Sequence, residues 1–302
     1  MLELKPFAKE AMVEIRPLLA TQDYRTCDNT VGGLYMWREY FKQLYTVVNG
    51  MLVCTAEYLD MGTCFSMPLG NGDIYGALAG IKGHCEEKSI PLRFCCVTPD
   101  ALVRLTDEAG RAYEILGRPS EIKEYRDWAD YLYPYENFLG YHGKKLVTQR
   151  NHRNRFLREY PQYEYKPLTS KLIPEAKAFL TENAGAFEKD SPLAREDYIR
   201  ALELLDLVEY FGFTGGLLFI GGKAVGLTVG EAMGDTLYVH IEKALKEYKG
   251  AYPMLAMLYA QQNACPALKY INREDDSGDA GLRYSKLEYQ PCDIITKYVV
   301  CY

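Results

Sequence analysis

Residues Asn272-Arg-Glu-Asp-Asp-Ser-Gly-Asp279 form a dense acidic turn, and Ala280-Gly281-Leu282-Arg283-Tyr284-Ser285-Lys286 follows it. Arg283 and Lys286 are three apart, so on a helix they share a face that holds a phosphate or carboxylate, or pairs with the acids beside it. Glu274, Asp275, Asp276 and Asp279 offer carboxylates to bind an amine or remove a proton. The plain alternative is a solvated turn whose acids sit at a helix N-terminus. The spacing does not match an EF-hand calcium loop.

A second segment, Leu237-Tyr-Val-His-Ile-Glu-Lys243, reads as a strand that leads through Lys249-Gly250-Ala251-Tyr252-Pro253 into an apolar helix. Unpaired N–H groups at such a helix start suit an anion. Pro253 at a first helical position is equally plain helix-starting chemistry. A third segment, Lys144-Lys145 through Arg150, His152, Arg153, Arg155 and Arg158, is strongly basic and suits a nucleic-acid backbone or an anionic headgroup, or a charged solvent-facing connector. No GxSxG elbow, HExxH or Walker loop occurs, and there are four histidines. His240 falls in the expected strand, as core or pocket wall.

The elements that must position these groups are legible from periodicity. A short strand over 2–7 and a helix over 8–19 open the chain. A polar turn through Asp28-Asn29-Thr30 and Gly32-Gly33 precedes strands over 44–48, 51–56 and 63–67, with Asn49-Gly50 as a hairpin signal. A helix over 73–88, a strand over 92–97, a helix from 99 and an extended segment over 122–133 complete the first half. After a basic helix over 144–160, ended by Pro161, the second half runs as follows: strand 163–167, helices 173–183 and 195–205, strands 207–214, 216–220, 224–232 and 236–241, helix 252–263, strand 268–272, helix 279–287 and strand 294–300. Both halves run strand, helix, meander, helix, strand, helix, which predicts a duplicated α+β architecture. The expected division is 1–142, a connecting helix over 143–160, and 161–302.

Composition bounds the rest. The 302 residues are 48% hydrophobic and 25% charged, which predicts a chain that folds by itself. A net charge of −6 argues against a broad electropositive face. Nine cysteines, scattered and without zinc spacing, read as reduced thiols of a cytoplasmic protein, with no metal site. No apolar run reaches the ~18 residues that span a bilayer. The 26 tyrosines fit a tyrosine-rich core or a half-buried groove.

The run Gly281-Leu-Arg-x-x-Lys286-x-x-Tyr289-x-Pro291 resembles the closing motif of the catalytic C-terminal domain of phosphatidylglycerol lysyltransferases. Asp130-Tyr131-Leu132-Tyr133, Gly143-Lys144-Lys145 with Arg150-Asn-His-Arg-Asn-Arg155-Phe, Glu242-Lys243-Ala244 with Gly250-Ala-Tyr252, and Asn272-Arg-Glu-Asp275 resemble the soluble relatives grouped with that domain as DUF2156. The resemblance implies two tandem GNAT-like acyl-CoA N-acyltransferase folds with mixed sheets, and transfer of an acyl or aminoacyl group to an amine or hydroxyl by direct attack. Acyl-CoA or aminoacyl-tRNA would be the donor. The acidic balance gives tRNA little support, no membrane domain accompanies the motifs, and Glu247-Tyr-Lys-Gly250-Ala-Tyr252 departs from the loop of coenzyme-A-binding relatives. On this reading Arg283 and Lys286 bind donor anions, and Glu274 or Asp275 serves the acceptor. Tyr252 and Tyr289 line the pocket, His240 and Glu242 stand beside it, and Lys243, Gly250 and Arg273 complete the substrate-binding set. A non-catalytic ligand-binding module and a coenzyme-A-dependent small-molecule acetyltransferase are the alternatives.

Overall fold

The computed structural model describes residues 2–187 and 191–302. Contacts divide the chain into a first unit, up to Asp130 together with Ile295–Tyr302, and a second, Tyr131–Ile294.

In the first unit the order is β1 (Lys5–Pro6), α1 (Lys9–Leu19), α2 (Val31–Trp37), β2 (Leu44–Val48), β3 (Met51–Tyr58), β4 (Gly62–Phe65), β5 (Leu69–Gly70), α3 (Ile74–Lys88), β6 (Arg93–Val97), α4 (Pro99–Thr106), α5 (Arg111–Leu116) and β7 (Glu121–Glu124). The last strand of the chain, β15 (Tyr298–Cys301), joins the same sheet between β6 and β7. Apolar residues of β3, β4 and β6 pack against α3, with Val53, Phe65, Leu78, Ile81 and Phe94 fully buried.

The second unit follows with β8 (Asp130–Pro134), α6 (Val147–Glu159), β9 (Glu164–Pro167), α7 (Ile173–Glu182), α8 (Ala184–Phe187), α9 (Pro192–Leu205), α10 (Val208–Phe211), β10 (Thr214–Ile220), β11 (Lys223–Met233), β12 (Thr236–Ala244), α11 (Ala251–Gln262), β13 (Tyr270–Asn272), α12 (Ala280–Glu288) and β14 (Asp293–Ile295). Its strands lie in the order β14-β8-β13-β12-β11-β10-β9. β8–β13, β12–β11, β11–β10 and β10–β9 pair antiparallel, whereas β12 and β13 run parallel because α11 returns the chain to the same end of the sheet. In the first unit α3 makes the same return between β4 and β6, again a parallel pair.

Five expectations are corrected. Gly32 and Gly33 do not form a turn: they lie in α2, capped by the Thr30 hydroxyl, which accepts from the Gly33 amide at 3.0 Å. A Cβ on Gly33 would lie 2.1 Å from the Cys27 carbonyl oxygen, so glycine serves close approach rather than chain reversal. Residues 207–214 are not a strand, because α10 continues the helical path until Gly212 closes it at φ +65°. The extended segment over 122–133 is broken by a 3₁₀ turn at Arg126–Trp128, and the closing strand over 294–300 is two strands in two sheets. The basic helix expected over 144–160 is helical over Val147–Glu159 and lies within the second unit. Among the described residues no helix is long and apolar enough to cross a membrane.

Candidate active site

The second unit's sheet opens where its two parallel strands part. β12 and β13 pair only at Thr236 with Tyr270, Leu237 with Ile271 and Tyr238 with Asn272, after which β13 ends and β12 runs on to Ala244. On its other edge β12 stays with β11, but the register jumps between the pairs Val229–Ile241 and Gly230–Val239. His240 is therefore the extra residue of a bulge, a device that re-aims a side chain beside functional sites. Gly230 permits it: a Cβ there would lie 1.9 Å from the Tyr238 carbonyl oxygen.

His240 is clamped from both ring nitrogens. Nδ1 lies 2.8 Å from Glu274 Oε1 and Nε2 lies 3.1 Å from Glu231 Oε1. Burial by itself pushes the imidazole pKa down, but the hydrogen bonds and charges of the two glutamates outweigh it and raise the pKa to about 9. Glu231 is 5% exposed and Glu274 is 23% exposed, so Glu274 is the carboxylate of the trio open to solvent. Its backbone is held at φ +58°, a conformation non-glycine residues avoid. Asn272 Oδ1 fixes it by accepting from the Glu274 amide at 2.6 Å, and the Tyr131 amide donates to the Glu274 carbonyl at 3.1 Å.

Arg273 bridges the parting strands by bonding through Nη2 to Glu242. Its guanidinium lies 4.4 Å from the Tyr289 ring centroid and 5.6 Å from that of Phe138, whose two rings are stacked. Burial opposes its charge, but Glu242 and the surrounding tyrosines keep its pKa above the ordinary arginine value. Nη1 is buried without a hydrogen-bond partner, and so is Oγ1 of Thr228, the register partner of Glu242. A buried donor without an acceptor is costly, of the order of 1–3 kcal/mol.

The acidic turn and α12 are tied together by the cations expected to meet the donor. Arg283 forms a fork with Asp276, Nε to Oδ2 at 2.8 Å and Nη2 to Oδ1 at 2.7 Å, and the Tyr131 hydroxyl donates to Asp276 Oδ2 at 2.6 Å. Burial raises the Asp276 pKa, yet these bonds and the Gly278 amide hold it down to about 2. Lys286, the buried residue of α12, donates to the carbonyls of Arg273, at 2.5 Å, and Asp275. Asp275 accepts from the Ser277 amide and hydroxyl.

Glu274 with His240, and Arg273 with Glu242 and Tyr289, are thus brought together where β12 and β13 part. Arg283, Lys286 and Asp275 tie the acidic turn to itself and to α12. Lys243 lies apart from them, bonded to Asp197 of α9. Tyr252 is half-buried, and Gly250, at φ +87°, lies under α6: a Cβ would be 2.3 Å from the His152 carbonyl oxygen. The Ala251 amide donates to the Tyr248 carbonyl, so the expected anion turn is closed on itself at that position. In the basic helix, Arg150 donates to the carbonyls of Tyr141 and Gly143, and Arg153 to that of Gly140. Glu231 is the residue that sequence reasoning omitted. Its signal is a lone acid inside the apolar strand Leu227-Thr-Val-Gly-Glu231-Ala-Met233.

The family model described as phosphatidylglycerol lysyltransferase, C-terminal, matches residues 20–301. A conserved protein of unknown function from Bacteroides thetaiotaomicron superposes with a TM-score of 0.89 at 31% identity, over 100% of this chain and 99% of that one. The C-terminal domain of a candidate lysylphosphatidylglycerol synthetase from Agrobacterium fabrum superposes with a TM-score of 0.65 at 11% identity, over 97% and 92% of the two chains, a likeness of fold. An uncharacterised protein of Mycoplasmoides gallisepticum is 26% identical over 179 residues, 57% of this chain and 55% of that one, so the chain spans about half the length of that curated relative. The fold is the expected α+β arrangement, with a mixed sheet in each of the two units.

Proposed function

Because this chain belongs to the family of the phosphatidylglycerol lysyltransferase C-terminal domain, we propose that it is an acyl- or aminoacyl-transferase that works by direct attack of an amine or hydroxyl on the donor carbonyl. Family and fold point to that reaction class. The observation that carries the mechanism is the opening between β12 and β13, where Arg273 Nη1 has no acceptor and Glu274 is the reachable carboxylate.

The donor carbonyl oxygen takes the place of the acceptor that Nη1 lacks. A buried guanidinium aimed at that oxygen favours the transition state, where charge develops, over the neutral ground state. Glu274 accepts the proton of the attacking amine or hydroxyl, and the imidazolium of His240 holds the carboxylate in its aim. The tetrahedral intermediate then collapses with departure of the donor's hydroxyl or thiol, which regains a proton. Glu231 and Asn272 are positioning residues. Arg283, Lys286 and Asp275 position the turn.

The donor is an aminoacyl-tRNA or an acyl-CoA, and the acceptor a small molecule, in the cytoplasm. The closed turn at Gly250 favours a donor that does not need phosphate contacts there. A non-catalytic ligand-binding module is the second reading, favoured because Arg283 and Lys286 are engaged with protein groups.

Thermal shift with amino acid amides, acyl-CoAs and aminoacyl-tRNA separates these readings, since ligands that prefer the native state raise Tm. Mass spectrometry of amine acceptors incubated with each binding donor then detects transfer. Transfer abolished by Glu274→Gln supports the mechanism. Ligand binding with no transfer to any acceptor supports the binding module, and transfer undiminished in Arg273→Met overturns the role of Arg273.

A further inference from the structure

The first unit buries a group of side chains that the proposed chemistry does not use. Cys27 opens the turn before α2, Asp130 begins β8, and Lys297 precedes β15. The side chains of Asp130 and Lys297 are buried, and that of Asp28 is 31% exposed, giving the group one side toward water. Cys27 Sγ and carboxylate oxygens of Asp28 and Asp130 lie within 4.8 Å of one another, a donor set that would suit a divalent cation. Lys297 occupies that role: Nζ lies 2.5 Å from Asp28 Oδ2 and 2.8 Å from Asp130 Oδ1. What remains is the thiol against the ammonium. Nζ lies 3.8 Å from Cys27 Sγ, and Asp130 Oδ1 accepts from both, at 3.2 Å from Sγ.

We propose that Cys27 and Lys297 are a modification site, joined in the presence of dioxygen through a single oxygen atom as an Sγ–O–Nζ bridge. The thiol, the ammonium and one dioxygen give the bridge, one water and one proton. The S–H bond and two N–H bonds break, and S–O and O–N bonds form. Sulfur and nitrogen each give up two electrons, and dioxygen takes all four, one of its oxygen atoms leaving as water. The shared carboxylate of Asp130 holds the two reacting atoms together, and Asp28 provides the route by which the released proton reaches solvent. The long lysine side chain closes the remaining gap by rotation. The first two electrons leave sulfur and place an oxygen on it, as in a sulfenic acid. The next two leave nitrogen as that same oxygen joins Nζ.

The test uses the full chain purified without air and divided between anaerobic and air-saturated buffer, followed by proteolysis and peptide mass spectrometry. The expected product is the Cys27 peptide joined to the Lys297 peptide, with a mass equal to their sum plus one oxygen and minus two hydrogens. It forms only in air and is lost with excess dithiothreitol. It is absent from Cys27→Ser and Lys297→Arg. If Cys27 emerges from air as a free thiol, as a sulfenic or sulfinic acid, or in a disulfide with Cys96, the proposal fails. That map of the unsubstituted protein decides the matter even if a variant does not fold.

Discussion

Glu274 Oε1 lies 2.8 Å from Nδ1 of His240, and this bond ties the turn after β13 to the bulge of β12, joining side chains of strands that no longer pair. With Glu231 on the opposite nitrogen, the imidazole is a buried cation between two carboxylates. Its folded-state pKa, about 9, is above the unfolded value of 6.5. The stabilisation it contributes is therefore complete below about pH 6.5 and is lost as pH rises through about 9. Urea unfolding of the wild type should show this decline, and Glu231→Gln should flatten it. An NMR titration should find the His240 pKa lowered in Glu231→Gln; an unchanged value would show that the clamp does not set the charge.

For the acid side, Asp276 has the opposite sign. Its pKa is depressed from 3.8 to about 2, so its contribution is present above about pH 3.8 and is lost as pH falls through about 2. Removing the fork partner in Arg283→Met leaves a buried carboxylate and should cost about 3 kcal/mol at neutral pH. Acid unfolding should also begin at a higher pH than in the wild type. Equal midpoints for the two proteins would contradict the coupling.

Lys297 is the counter-charge of Asp28 and Asp130 in the first unit, and burial by itself lowers its pKa while the two aspartates raise it well above the usual lysine value. Lys297→Met should destabilise that unit by about 3–5 kcal/mol, because Asp130 keeps its charge in a dry site. Adding Asp130→Asn should recover part of the loss. Denaturant midpoints of the single and double variants measure it, and a double variant weaker than the sum of the singles is the contrary result.

Gly230→Ala should reshape the site without replacing an ionisable side chain. The new methyl would meet the Tyr238 carbonyl 1.9 Å away, so β11 and β12 must shift at the bulge that displays His240. A loss of about 2–4 kcal/mol is expected. Gly234→Ala, at φ +58° but with open space around the new methyl, should cost about 1 kcal/mol. Thermal unfolding of the pair separates steric conflict from backbone strain.

The amino-acid sequence by itself determined the run of most elements, because hydrophobic period, hairpin signals and helix caps are local properties of the chain. Asp279 does cap α12, accepting from the Leu282 amide at 2.8 Å, and Asn49-Gly50 does link β2 to β3. It also singled out 272–286 as the segment rich in chemistry. Tertiary structure decided which of those charges face one another. Arg283 and Lys286, equivalent in sequence as two cations on one helix face, became a carboxylate fork and a carbonyl tether, while Arg273, expected only as one of several substrate-binding residues, kept a donor without a partner. Glu231, a lone acid in an apolar strand, met His240 only through the register of β11 on β12, and the Cys27–Lys297 contact arose only through the return of the final strand to the first sheet. Pairings of that kind depend on long-range strand order, and local periodicity carries no information about which distant side chain will fill a desolvated position.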